Sequence, residues 1–185
     1  MDTFLAITSR REVRAYDGRP LPEDVVRRIL EAGRLAGSSK NRQQRHFVVL
    51  HDHEAAAQAV WNPENIRGAA LVVAIVVSGK GPLALDAGRA AQNMLLAAHN
   101  EGIGGCPNGL ANPEALDIGE VATILSFGYP ARPSDPSRRT PEEWIERADR
   151  KPFDEVVSGA SSRQPAAPAH SISAGEIASR ISRER

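Results

Sequence analysis

Apolar and polar positions change period several times along the chain, and each change predicts an element. Phe4, Leu5 and Ile7, spaced among polar neighbours from Met1 to Ser9, predict a short helix opening near Asp2 or Thr3. The stretch Tyr16-Asp17-Gly18-Arg19-Pro20-Leu21-Pro22 has turn chemistry, and Pro22 followed by Glu23 and Asp24 starts a helix well. Val25, Val26, Ile29, Leu30, Gly33 and Ala36 then recur at helical spacing until Gly37-Ser38-Ser39 stops them. Phe47 to Leu50 is a short β-branched run, and Asp52 to Val60 reads as an Ala-rich helix. Ala69 to Val77 is continuously apolar, the pattern of a strand covered on both faces, and Val121 to Phe127 reads the same way before Gly128-Tyr129-Pro130.

Between those strands, Leu83 to Asn100 predicts a helix unusually rich in alanine and glycine, ending at Gly102. Its small side chains let another backbone come close, so it is expected centrally or at a subunit interface. Asn112-Pro113-Glu114 has the order cap, proline, acid and predicts a short helix to about Leu116, and another short helix starts at Thr140 and carries Trp144. Strands separated by helices, two of them buried on both faces, predict a three-layer α/β or α+β sandwich with more helix than strand. Beyond Val157 the composition shifts to Ser, Ala, Pro and Arg, so 158–185 reads as a flexible tail after a 1–157 domain. Ser173 with Glu176 matches a capping box, and Ile177 with Ile181 share a helical face, so the tail's end is expected to form a short helix.

Composition narrows the function classes. With 185 residues the chain has room for one ordinary domain, and 41% hydrophobic with 25% charged residues is ordinary globular usage. The 23 cations and 23 acids cancel, so no global attraction to nucleic acid or anionic membrane is expected, and 4% aromatics leave little to stack on bases. A single cysteine excludes an intramolecular disulfide framework. The longest apolar run is about half a membrane helix and the N-terminus has no signal pattern, so a soluble, cytoplasmic protein is expected.

Of the 23 cations, 20 are arginine and three are lysine. Genomic codon bias explains such an excess, and so does phosphate or carboxylate binding through the planar guanidinium fork. Arg10, Arg11 and Arg14 cluster where the chain leaves its first helix, either as an anion patch or as a solvated charge cluster that Glu12 neutralises. Gly37-Ser38-Ser39-Lys40-Asn41-Arg42-Gln43-Gln44 supplies hydroxyls and amides that can donate and accept, which suits a heterocycle edge, although a plain surface loop has the same composition. Gly102-Ile103-Gly104-Gly105-Cys106-Pro107-Asn108-Gly109 follows a helix, so it is not a dinucleotide-binding fingerprint; it reads as a glycine turn whose backbone amides can approach a flat ligand. His51-Asp52-His53 reads as solvated turn residues rather than a metal pair, Cys106 as a small buried thiol, and His46 and His99 as packing residues.

Taken together, these segments resemble the nitroreductase family of FMN-dependent NAD(P)H oxidoreductases from about Met1 to Val157. Ser9-Arg10-Arg11-Glu12-Val13-Arg14-Ala15-Tyr16 is similar to the family's opening Arg-Arg-Ser-x-Arg-x-Phe. Leu35 to Gln43 with His46-Phe47-Val48-Val49 resembles Ala-Pro-Ser-x-x-Asn-x-Gln-Pro-Trp-x-Phe. Asp86 and Ala91 to Ala98 with Gly102-Ile103-Gly104 match the central helix and its exit; Ser126 to Pro130 and Arg150-Lys151-Pro152-Phe153 complete the order.

The resemblance implies an α+β, three-layer α/β/α homodimer with FMN at the subunit interface. It implies that Arg10, Arg11 and Arg14, with Arg150 or Lys151, grip the phosphate and ribityl chain. Ser38, Ser39, Asn41 and Gln43 would lie along the ribityl and ring edge, and Pro107, Asn108 and Gly109 would bring a backbone amide to the redox-active ring nitrogen. The implied reaction passes hydride from NADH or NADPH through FMN to nitroaromatic, quinone or related acceptors, with no catalytic acid–base residue and no metal. A flavin-sequestering protein of the same fold without efficient turnover is the alternative. Glu12 stands where the family carries serine, which implies either an ion pair with a neighbouring arginine or weaker phosphate binding. Gly37 replaces a proline and Gln44-Arg45 a Pro-Trp pair, and Lys40, Arg42 and Arg45 imply a cationic mouth suited to an anionic substrate or a deazaflavin. Short segments after Val60 and after Ser78 imply an open acceptor site without a helical lid.

Overall fold

The computed structural model describes residues 1–159, in two compact units, Met1–Trp144 and the residues from Ile145 on. The first unit opens with α1 (Thr3–Ser9), whose N-terminal amides of Phe4 and Leu5 donate to the Asp2 carboxylate. Then come α2 (Glu23–Arg34), β1 (Arg45–Val49), α3 (His53–Gln58), α4 (Glu64–Arg67), β2 (Leu71–Val77), α5 (Leu83–Asn100), β3 (Gly104–Asn108) and β4 (Glu120–Gly128). Helix α6 (Pro141–Arg147) carries Trp144, buried with its indole N–H on the Pro136 carbonyl at 2.9 Å. The second unit contains α7 (Phe153–Val156). The expected C-terminal helix lies outside the described residues.

The sheet runs β1-β2-β4-β3, every neighbouring pair antiparallel. Because side chains alternate across a strand, β2 feeds two cores. Leu71, Val73, Ile75 and Val77 pack with Ile29 of α2 and Met94 and Leu95 of α5, while Val72, Ala74 and Val76 pack with Ala56 and Ala57 of α3 and Ile66 of α4. All seven β2 residues are buried, and each large aliphatic side chain contributes about 1.5–3 kcal/mol by leaving water. The result is a helix-rich α/β/α sandwich. Gly33 lets α2 approach α5: a Cβ there would lie 2.8 Å from the Met94 side chain.

Two expectations need correction. The glycine-rich segment after α5 is a turn only at Gly102 (φ +73°); from Gly104 it is a strand. Nothing in Gly-Gly-Cys-Pro-Asn favours a strand, and its conformation is imposed by pairing with β4. Gly105 has a packing reason, since a Cβ would sit 2.8 Å from the Leu95 and Phe127 side chains. The helix expected over 112–116 is a 3-10 turn, Pro113–Leu116, closed by Asp117 in the left-handed region. No helix among the described residues is long and apolar enough to cross a membrane.

Candidate functional site

After α1 the chain runs along the outer edge of β3. The Val13 N–H donates to the Gly105 carbonyl at 3.2 Å, and Tyr16 bridges to Pro130, so an otherwise open sheet edge is covered. This course brings Arg10 and Glu12 to a cavity of about 430 Å³ between α5 and the sheet. Ala87, Ala91 and Leu95 form one wall; Val77, Pro107, Ala122 and Thr123 form another, with Glu120 at the start of β4. The size and the largely apolar lining suit a small organic ligand.

Arg10 and Glu12 form an ion pair, Nη2 to Oε1 at 2.8 Å, with both side chains mostly out of solvent. Arg10 Nη1 and Glu12 Oε2 are buried without a hydrogen-bond partner. Buried polar atoms normally find partners, and leaving these two unpaired costs stability. Of the two outcomes implied for Glu12, the structure shows the ion pair.

Arg11 is directed elsewhere: Nη1 donates to the Thr8 and Arg10 carbonyls at 2.6 and 2.9 Å, and Nη2 to the Trp144 carbonyl at 2.9 Å. Arg14 is exposed. Burial pushes the nearby Cys106 thiol above its ordinary range, with Glu12 adding to that shift among the smaller causes and Arg14 opposing it. His99 donates to or accepts from Ser9 Oγ at 2.9 Å; burial, then the charges of Arg10 and Arg11, lower its pKa and favour the neutral ring.

β3 register separates Pro107 from Asn108. Pro107 pairs with Leu125 and faces the α5 side, whereas Asn108 pairs with Ile124 and is buried on the opposite face. The Asn108 amide nitrogen lies 3.1 Å from the Cys106 and Ile124 carbonyls and from Ser126 Oγ, sharing its two hydrogens among them, and the amide oxygen accepts from Asn65. Tyr16 joins through its hydroxyl, 3.0 Å from Ser126 Oγ, and burial pushes that phenol well above its ordinary range. Only the backbone of Asn108 can serve a ligand on the cavity side. Gly109 lies under Trp61, a 72% exposed indole that the sequence reading did not single out.

Ser38, Ser39, Asn41 and Gln43 do not line this cavity. They form a strained loop: Lys40, Asn41 and Gln43 all have φ near +50°, a region that costs a residue with a side chain roughly 1–3 kcal/mol. Asp86 in the first turn of α5 anchors the loop by accepting from the Ser39 N–H, and Ser38 Oγ accepts from the Gln43 N–H. The expected cationic mouth is largely engaged in structure. Arg42 donates to the Lys80 carbonyl, the Gln44 amide also pairs with the Lys80 backbone, and Arg45 donates to the carbonyls of Arg34 and Ala36 at the end of α2. A second, open concavity of about 490 Å³ lies beside Gly37 and shares Ala84, Gly88 and Gln92 with the first. Arg150 and Lys151 are exposed residues of the second unit. Glu120 was missed because it reads only as the polar residue before a strand.

The chain is thus an α/β/α sandwich with a cavity between its small-residue helix and the sheet, and comparison with known proteins gives its class. A family model described as "Putative TM nitroreductase" matches residues 2–179, reaching into the segment read as a tail. A "Putative NADH dehydrogenase/NAD(P)H nitroreductase" of Methanothermobacter thermautotrophicus is 30% identical, over 78% of this chain and 88% of its own length. A Desulfovibrio desulfuricans protein described as a "putative nitroreductase in complex with fmn" superposes with TM-score 0.69 at 25% identity, covering 89% of this chain and 99% of that one. A crystal structure from Parabacteroides distasonis, with TM-score 0.72, 19% identity and 87% and 99% coverage, shares the fold. The chain belongs to the nitroreductase-like family of FMN-dependent NAD(P)H oxidoreductases.

Proposed function

We propose that this chain is a cytoplasmic enzyme that binds FMN in the Arg10 cavity and passes hydride equivalents from NADH or NADPH to electrophilic acceptors, nitroaromatics and quinones among them. The observation that carries the reading is a largely apolar cavity of about 430 Å³, lined by Arg10, Glu12 and the small residues of α5, in a chain of this family. FMN, when bound, supplies the redox chemistry; the residues supply position and charge. Arg10 donates a hydrogen bond to the flavin. Pro107 has no N–H, so a backbone donor in this segment belongs to Asn108 or Gly109.

The functional unit in this reading is a homodimer. Ser38, Ser39, Asn41 and Gln43 of a second copy complete each site, with Arg11, Arg14, Arg150 and Lys151 adding positive potential. The exposed α5 face at Ala84 and Gly88 supports it, since small side chains permit close approach. Purified protein tests the whole. A yellow dimer bleached anaerobically by NADH or NADPH and reoxidised by an acceptor is expected. Yellow protein that neither nicotinamide bleaches would replace the enzyme with a flavin-sequestering protein, and colourless protein that ignores added FMN would overturn both. Arg10→Ala and Arg14→Ala should weaken FMN retention more than Arg163→Ala; equal retention in all three would contradict the phosphate assignment.

A further inference from the structure

We infer that the loop after α2 and the residues it packs on form a phosphate-reading patch, which makes NADPH rather than NADH the preferred electron donor. The inference rests on the flavin reading above, in which this loop of a second copy borders each site, and concerns only the adenosine end of the dinucleotide. Five cations meet here. Lys40 and Arg42 belong to the loop; Arg42 donates to the carbonyl of Lys80, just past β2, and Arg45 at the start of β1 donates to the carbonyls of Arg34 and Ala36. Arg89 of α5 lies against Gly37, where a Cβ would sit 2.5 Å from its Nη2. Gly37 and Gln44-Arg45 stand where the family pattern carries proline and Pro-Trp, so both departures fall at this one place: the first leaves room for a guanidinium and the second adds a cation.

Hydrogen bonds to carbonyls engage these groups without neutralising them. Among the described residues, none of the five belongs to an ion pair. The carboxylates of the neighbourhood are Asp86, buried and accepting from the Ser39 N–H, and Glu120, opposite Val77 in the sheet, while Glu31 is paired with Arg34; a surplus of three positive charges remains. Arg10, Arg11, Arg14, Arg150 and Lys151, assigned above to the flavin phosphate, add to that surplus against Glu12 and the phosphate's own charge. NADPH differs from NADH by one phosphate monoester on its adenosine ribose, about two further negative charges. Hydride transfer fixes the nicotinamide on the flavin ring, so the rest of the dinucleotide leaves through the mouth that the loop borders. Lys40, Arg42, Lys80 and Arg89 are exposed there, and a guanidinium such as Arg89 receives a phosphate through two parallel hydrogen bonds.

The test is anaerobic reduction of the FMN-loaded protein by each nicotinamide, followed by bleaching of the flavin in a stopped-flow instrument with no acceptor present. At low ionic strength NADPH should reduce the flavin at least about tenfold more efficiently than NADH, and the advantage should fall to about threefold or less in molar salt as the patch is screened. Arg89→Ala should cost NADPH about fivefold and NADH less than twofold. Lys80→Ala reads the same ratio should the arginine variant fail to fold, and the salt series needs no variant. Equal use of the two donors, a preference for NADH, or an NADPH preference untouched by both salt and substitution would overturn the inference while leaving the flavin enzyme intact. Protein that holds no flavin, or that neither donor bleaches, would overturn the reading on which it rests.

Discussion

Two polar clusters flank β3, and they differ in one respect. Beneath the sheet, Tyr16, Ser126, Asn108 and Asn65 form a connected network in which the two Asn108 amide hydrogens are shared among three acceptors and its oxygen accepts from Asn65. On the cavity side, Arg10 and Glu12 make one contact with each other and leave an atom each unpaired. A satisfied buried network specifies one structure, whereas a half-satisfied one is destabilising by itself. The chain thus separates the work of holding β3 in place from the work of binding next to it.

The contrast can be broken by substitution. Asn108→Ala removes the amide's hydrogen bonds and takes a donor from the Ile124 and Cys106 carbonyls, the latter keeping Ser126 Oγ at 3.4 Å; a loss of about 3 kcal/mol in urea unfolding is expected, and a loss under about 1 kcal/mol would mean the network is not structural. The double change Arg10→Met with Glu12→Met should leave stability within about 1 kcal/mol, because a poorly satisfied pair is replaced by packing, yet lower FMN affinity about tenfold. An equal stability loss in the two experiments would erase the distinction. Gln43→Gly relieves a left-handed φ of 53° and should gain about 1 kcal/mol.

The smallest effect expected is a pH dependence. His99 has a lowered pKa in the folded chain, so the unfolded chain takes up its proton first as pH falls. Its influence is absent above the ordinary histidine pKa of about 6.5; stability then declines as pH drops from there toward the lowered folded value. His99→Gln should flatten urea midpoints across that window, and an unchanged slope would exclude His99 as the cause.

Much of the fold was legible where period and propensity agree. Leu83–Asn100 was readable with its structural bounds because small apolar residues recur at helical spacing between a proline and a glycine. β2 and β4 were readable from short, mostly apolar runs rich in β-branched residues. β3 was not, because its residues carry no local preference and its conformation comes from β4, distant in sequence. That omission limited the site as well. Without knowing that 104–108 is a strand, nothing says that Pro107 and Asn108 face opposite ways. Arg10 was legible as an anion-binding candidate, but Arg11 looked equivalent, and only the course of the chain past Trp144 distinguishes them.

Gly88 sits on the strip of α5 common to both concavities, and a methyl group placed there would meet nothing within 4 Å beyond the neighbouring helix backbone. Glycine at a helical position costs roughly 0.5–1 kcal/mol relative to alanine. Within one chain that cost has no return: the helix would fold more firmly with alanine. The position is therefore a gauge that reads differently alone and in company. Alanine should raise the isolated chain's melting temperature, and a large residue such as leucine should act only on what enters the shared strip from outside.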